Sequence, residues 1–245
     1  MLKKEILKQF SGKYCTIDEI VSYIETAKPM SSRKTVIWNI NELVKRGTVT
    51  RVGRGVYCFA EKKKFQMMLS NTAKQICAVI SKQFKYLETT ATDTASLNGF
   101  MNLLPFSSVV SIEVKKSATT PVVLALRKAG FNAWAKQDLL QMERYALSAQ
   151  RVIIRPELSV NPPLQKENNI RLANLEKIFV DIVCDEDIYG QYQGEELLNI
   201  YKGAAEAYAI NYSRMLKYAD ARNKRADVEG LLLGTSEFKE VRDLL

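Results

Sequence analysis

The chain has 245 residues, 47% of them hydrophobic, with 36 Lys+Arg against 27 Asp+Glu and a formal charge of +9. It contains no histidine, which excludes a Ser-His-Asp or Cys-His nucleophile, a His general base and every His-containing zinc site. Residues 1–64 hold 14 Lys+Arg against 6 Asp+Glu, so nearly all of the positive excess sits in the first quarter, the pattern of a polyanion-binding module joined to a near-neutral unit with another task.

Leu2, Ile6, Leu7 and Phe10 have the spacing of a first short helix. A second starts at Thr16 or Asp18, carries Ile17, Ile20, Val21 and Ile24 along one side, and is separated from the third by Pro29. The third runs from Ser31 or Ser32, whose hydroxyls suit the cap, to Gly47, which suits the stop. Val36, Ile37, Ile40, Leu43 and Val44 fall within one arc of about 120°, and Ser31, Lys34, Thr35, Trp38, Asn41 and Lys45 lie opposite.

After Gly47 the period becomes extended: β-branched Thr48-Val49-Thr50, a Gly53-Arg54-Gly55 turn, and a return strand Val56-Tyr57-Cys58-Phe59. Three helices and a hairpin in this order predict a winged helix-turn-helix over residues 1–63, with the third helix as reader of double-stranded DNA. In that arrangement Lys34, Thr35, Trp38 and Asn41 approach base edges in the major groove. Ser32, Arg33 and Lys45 hold phosphates, and Arg51 and Arg54 act from the wing. A Trp in the middle of the polar face is what a plain solvated helix would not explain.

Glu61-Lys62-Lys63-Lys64 reads as a solvated domain edge, and residues 64–84, with Phe65, Met68, Leu69, Ile76, Val79, Ile80 and Phe84, as one amphipathic connecting helix. Residues 85–245 read as a mixed α/β domain with a helical tail from about residue 170, giving an α+β chain overall. Its predicted elements are an extended Tyr86–Thr90, a helix near Thr94–Leu103, a strand Ser108–Val114, a helix Pro121–Ala129, strands Phe131–Ala135 and Gln150–Arg155, and a short helix Leu139–Leu147. Pro156, Pro162 and Pro163 mark a loop, after which Leu172–Cys184, Gly194–Tyr208, Tyr212–Arg222, Ala226–Leu233 and a stretch from Glu237 read as successive helices.

Cys15, Cys58, Cys77 and Cys184 are far apart and read as buried reduced thiols. The first apolar run is broken by Lys3, Lys4 and Glu5, and no later stretch has the length to cross a bilayer, so a cytoplasmic protein is expected. No cofactor or metal is expected. One enzyme pattern competes: Asp93 followed by Glu113 and Lys115 on one strand face resembles the way nucleases hold Mg²⁺ with two carboxylates and orient water with a lysine. The acidic cluster Asp181, Asp185, Glu186 and Asp187 is a candidate partner-binding patch, with a solvated helix end as its plain alternative.

Three stretches resemble the AbiEi-type antitoxins of bacterial AbiE toxin-antitoxin systems, also described as transcriptional regulators of viral defence. They are the wing motif Arg51-Val52-Gly53-Arg54-Gly55-Val56-Tyr57, the segment Leu175-Glu176-Lys177-Ile178-Phe179-Val180-Asp181, and Tyr218-Ala219-Asp220-Ala221-Arg222 leading to Val228-Glu229-Gly230-Leu231-Leu232. The resemblance implies a non-enzymatic repressor of its own operon whose C-terminal domain counters a toxin of nucleotidyltransferase fold. The alternative is a stand-alone regulator whose C-terminal domain serves protein interaction.

Overall fold

The computed structural model describes residues 2–60, 62–105, 107–140, 150–167 and 170–245. The chain begins with α1 (Leu2–Phe10), β1 (Tyr14–Thr16), α2 (Ile17–Ala27) and α3 (Arg33–Lys45), followed by β2 (Thr50–Gly53) and β3 (Val56–Cys58). Thr16 caps α2 in a reciprocal box with Glu19, and Ser32 caps α3 by accepting from Thr35 N. Gly47 follows α3 at φ +73°, a conformation open to glycine at little cost. Tyr14-Cys15-Thr16, unassigned in the sequence reading, adds a third strand, so β1 and β2 both pair antiparallel with β3.

Because side chains alternate along a strand, β3 faces two cores. Tyr57 packs with Ile6, Ile20, Ile24, Ile40 and Leu43 in a small N-terminal core. Val56 and Cys58, with Val52 of β2, belong instead to the large core of the following unit. The hairpin is thus a shared wall, and the two units do not part cleanly at residue 63.

The second unit is built on a six-stranded mixed sheet formed by β4 (Thr90–Asp93), β5 (Ser108–Val114), β6 (Ala133–Ala135), β7 (Gln150–Pro156), β8 (Leu164–Glu167) and β9 (Ile170–Ala173). Their order is β6-β7-β5-β4-β9-β8. Strands β6, β7 and β5 run parallel, β4 is antiparallel to β5 and parallel to β9, and β8 is antiparallel to β9. One face is covered by α4 (Asn71–Gln83) and α5 (Thr119–Lys128). The other receives α6 (Leu175–Cys184) and, behind it, α9 (Tyr212–Ala221). Between and after these stand α7 (Glu186–Tyr189), α8 (Glu195–Ala207), α10 (Arg225–Leu232) and α11 (Ser236–Val241).

Three sequence expectations change here. The connecting helix begins only at Asn71, because Ser70 caps it and is itself held by Asp93 Oδ2 (2.8 Å), while Phe65 and Met67 run extended into the core. Thr94–Phe100 is a 3₁₀ segment rather than an α-helix. The helical tail is preceded by the antiparallel strands β8, mostly polar, and β9; pairing of β9 with β4 supplies what their short sequences did not. The short helix expected over Leu139–Leu147 lies, from residue 141 on, outside the described residues. No helix among the described residues is long and apolar enough to cross a membrane.

Candidate functional site

On α3 the stripe Lys34, Trp38, Asn41 and Lys45 is exposed along one side, with Thr35 beside it, and Val36, Ile40 and Leu43 are buried on the other. Burying three such aliphatic side chains contributes about 1.5–3 kcal/mol each, which fixes the helix's rotation and with it the outward stripe. Trp38 is 60% exposed, and the Lys3 ammonium lies 5.0 Å from its ring centroid, so α1 adds a cation to this face. Four of the nine sequence-selected residues, Lys34, Thr35, Trp38 and Asn41, share this open surface with no salt bridge to a described residue; Lys45 shares it but is paired with Glu42.

The other five are partly engaged. Ser32 Oγ accepts from Thr35 N at 3.3 Å, Arg33 is paired with Asp18 of α2 at 2.6 Å, and Lys45 with Glu42 at 3.2 Å. Such exposed contacts are weak and open readily to a phosphate. Arg51 and Arg54 are exposed, but the hairpin that carries them is docked. Arg54 N donates to Ser213 Oγ (3.3 Å), Asn211 Nδ2 donates to Arg51 O (3.2 Å), and Arg51 Nε donates to Gly53 O (3.1 Å). The two hairpin glycines have separate duties: Gly55 supplies the positive φ (+76°), whereas a Cβ at Gly53 would collide with Leu245 and Ser213.

A second polar constellation lies between the large sheet and its C-terminal helices, and here the charges are inside. Glu113 of β5 and Arg155 of β7 are register partners, with Arg155 Nη2 donating to Glu113 Oε1 at 2.6 Å. From α6, Lys177 Nζ donates to Glu113 Oε1 (2.6 Å) and pairs with Asp181 one turn on. Asp181 also accepts from Arg155 Nη2 (2.9 Å), Tyr218 Oη (2.8 Å) and Arg222 Nη1 (2.8 Å). Asp185 accepts from Arg155 Nη1 (2.6 Å), Arg222 Nη2 (3.0 Å) and Lys136 Nζ (2.6 Å). Burial alone would raise the Asp181 carboxyl, but Lys177 and Arg155 outweigh it and hold the group below the ordinary carboxylate range. Asp185 is lowered in the same way, against its burial, chiefly by Arg155.

This cluster corrects several expectations. Asp181 and Asp185 are buried with cationic partners and are not available to a docking protein; Glu186 and Asp187 remain exposed. Lys62 is also not solvated, since its ammonium is held by Ala205 O (2.6 Å) and Glu237 (3.3 Å). Asp93 and Glu113 do not converge: Asp93 is opposite Val110 and Glu113 opposite Thr90, so they stand on opposite faces of the sheet. Asp93 caps Thr94–Phe100, Glu113 is spent on Arg155 and Lys177, and Lys115 is exposed beyond the strand end. The sequence reading missed Arg155, Lys177, Tyr218 and Arg222 as cluster members. A signal was present in Lys177, Asp181 and the C-cap Asp185, charged residues at four-residue intervals along a helix that, apart from Glu176, is otherwise apolar.

A model of a family of unknown function, DUF6577, matches residues 35–237, from within α3 through the start of α11. No curated protein matches the chain.

Proposed function

The chain belongs to this family of unknown function, and we propose that it is a sequence-specific, double-stranded DNA-binding regulator rather than an enzyme, with α1 to β3 forming a winged helix-turn-helix. The observation that carries this reading is the outward stripe of α3, where Lys34, Thr35, Trp38 and Asn41 are displayed together on a rigid helix. Planar, hydrogen-bonding and cationic side chains in this order suit base edges flanked by phosphates. The basic excess of the first 64 residues supports it, because phosphate neutralisation supplies most non-specific affinity.

An antitoxin role rests on the resemblance noted in the sequence. Two of its stretches, Leu175–Asp181 and Tyr218–Arg222, meet in the buried ionic cluster. They therefore support a shared C-terminal fold rather than a toxin-facing surface. In this reading the partner, a nucleotidyltransferase-type toxin, is met elsewhere on the C-terminal unit.

Fluorescence anisotropy across a salt series, with the protein's own upstream DNA and a scrambled duplex of equal length, tests the DNA reading. Selective binding that weakens roughly tenfold in Trp38→Ala is the expected result. Equal affinity for both duplexes at every salt concentration overturns it.

A further inference from the structure

A cleft of about 480 Å³ opens between the two units. Its walls come from the end of α3 and β2, the connector at Lys64 and Phe65, β8, and the first turns of α6 and α9. The charge around it is one-sided. Arg51, Lys62, Lys64, Lys166 and Arg214 line the cleft against a single carboxylate, Glu176. Lys62 is committed to Ala205 and Glu237, and Glu176 is buried and accepts from Asn211 N at 2.8 Å. Lys64, Lys166 and Arg214 are exposed and form no salt bridge with any described residue. Unpaired cations gathered around one concavity repel each other, a cost that a bound anion converts into attraction.

The cleft is not lined by charge alone. Phe65, Leu175 and Val49 are buried beneath it, and Val44 and Leu164 contribute apolar edges. The volume is that of a small-molecule site, and the lining is mostly polar and charged, with the apolar side chains confined to the floor and edges. The cleft begins at Val44, at the C-terminal end of α3, ten residues or roughly 15 Å along the helix axis from Lys34, and a concavity of this size does not admit a duplex.

We propose that this cleft binds a small phosphorylated ligand of the nucleotide class, its phosphates held by Lys64, Lys166 and Arg214 and its base against the apolar floor. Charge-assisted hydrogen bonds from two lysines and an arginine suit a polyphosphate, and the arginine fork adds bidentate geometry. The site does not depend on the duplex reading, because its occupancy is measured on the protein alone.

The test is calorimetric titration of the full chain with ATP and with inorganic tripolyphosphate, at equal ionic strength. It is repeated on Arg214→Ala, on the double variant Lys64→Ala/Lys166→Ala, and on Lys82→Ala as an exposed control remote from the cleft. ATP is expected to bind, about tenfold or more weaker in the two cleft variants and unchanged in the control, since all these side chains are exposed and their loss leaves the fold intact. Tripolyphosphate is expected to bind at least tenfold more weakly than ATP. No heat of ATP binding, equal affinity in the cleft variants, or tripolyphosphate binding as tightly as ATP overturns the proposal.

Discussion

The two ends of the molecule use charge in opposite ways. On α3, Lys34 and its neighbours point to solvent with weak or no partners, and their energy is realised only when something anionic arrives. Around α6, Glu113, Arg155, Lys177, Asp181, Asp185 and Arg222 are drawn inside and satisfy one another. Three carboxylates face three cations there, with Lys136 on Asp185 at the rim, so a unit with a near-zero net charge conceals a dense electrostatic core. Net charge by segment is what singles out the part proposed to meet a polyanion; it says nothing about which charges hold the fold.

The sharpest way to separate the two uses is to remove one charge from each. Asp181→Ala leaves Arg155, Lys177 and Arg222 facing an empty position in the core and is expected to destabilise the chain by about 3–5 kcal/mol in urea unfolding. A loss below about 1 kcal/mol would mean the cluster is solvated and the comparison false. Trp38→Ala should do the reverse, leaving stability within about 0.5 kcal/mol while lowering selective duplex affinity roughly tenfold. Unfolding midpoints and anisotropy on the same preparations check both arms.

Acid titration sharpens the contrast further. Asp181 and Asp185 titrate below their ordinary values when folded, so the stability they contribute is present above about pH 4 and is lost as pH falls through their folded values. Glu176 runs the other way. Burial raises its carboxyl, with Asn211 N, Arg214 and Lys64 pulling it back only in part. Folded stability therefore declines as pH rises from its unfolded value through its raised folded one, and Glu176→Gln should remove that slope. With no histidine in the chain, a decline just above the ordinary carboxylate range that survives Glu176→Gln would contradict this assignment. The smallest effect is expected from Ser213→Ala, which deletes the acceptor for Arg54 N and should cost about 0.5–1.5 kcal/mol. Hydrogen exchange at the hairpin amides is the suitable measurement.

What was legible in the sequence follows the same division. Outward-facing features obey local rules: the Ser32 cap, the Gly47 stop, the stripe on α3 and the uninterrupted strand Ser108–Val114 could all be placed from spacing. The ionic cluster could not, because a charged residue is ordinarily a surface residue, and Lys177 or Arg155 becomes internal only when β5, β7, α6 and α9 have assembled around it. The strands β1, β8 and β9 were missed for a related reason. Each has three or four residues and is specified by the neighbour it pairs with, not by alternation of its own.

Strand β3 places Tyr57 in one core and Val56 and Cys58 in the other, so neither unit can rearrange its side of that wall privately. In the proposed regulator this makes the hairpin a thermodynamic junction. Whatever binds the C-terminal helices and shifts the wall changes duplex affinity by some factor, and the duplex must change that ligand's affinity by the same factor. A tenfold exchange in either direction requires only about 1.4 kcal/mol. That is the scale of the two contacts by which Ser213 and Asn211 grip the turn.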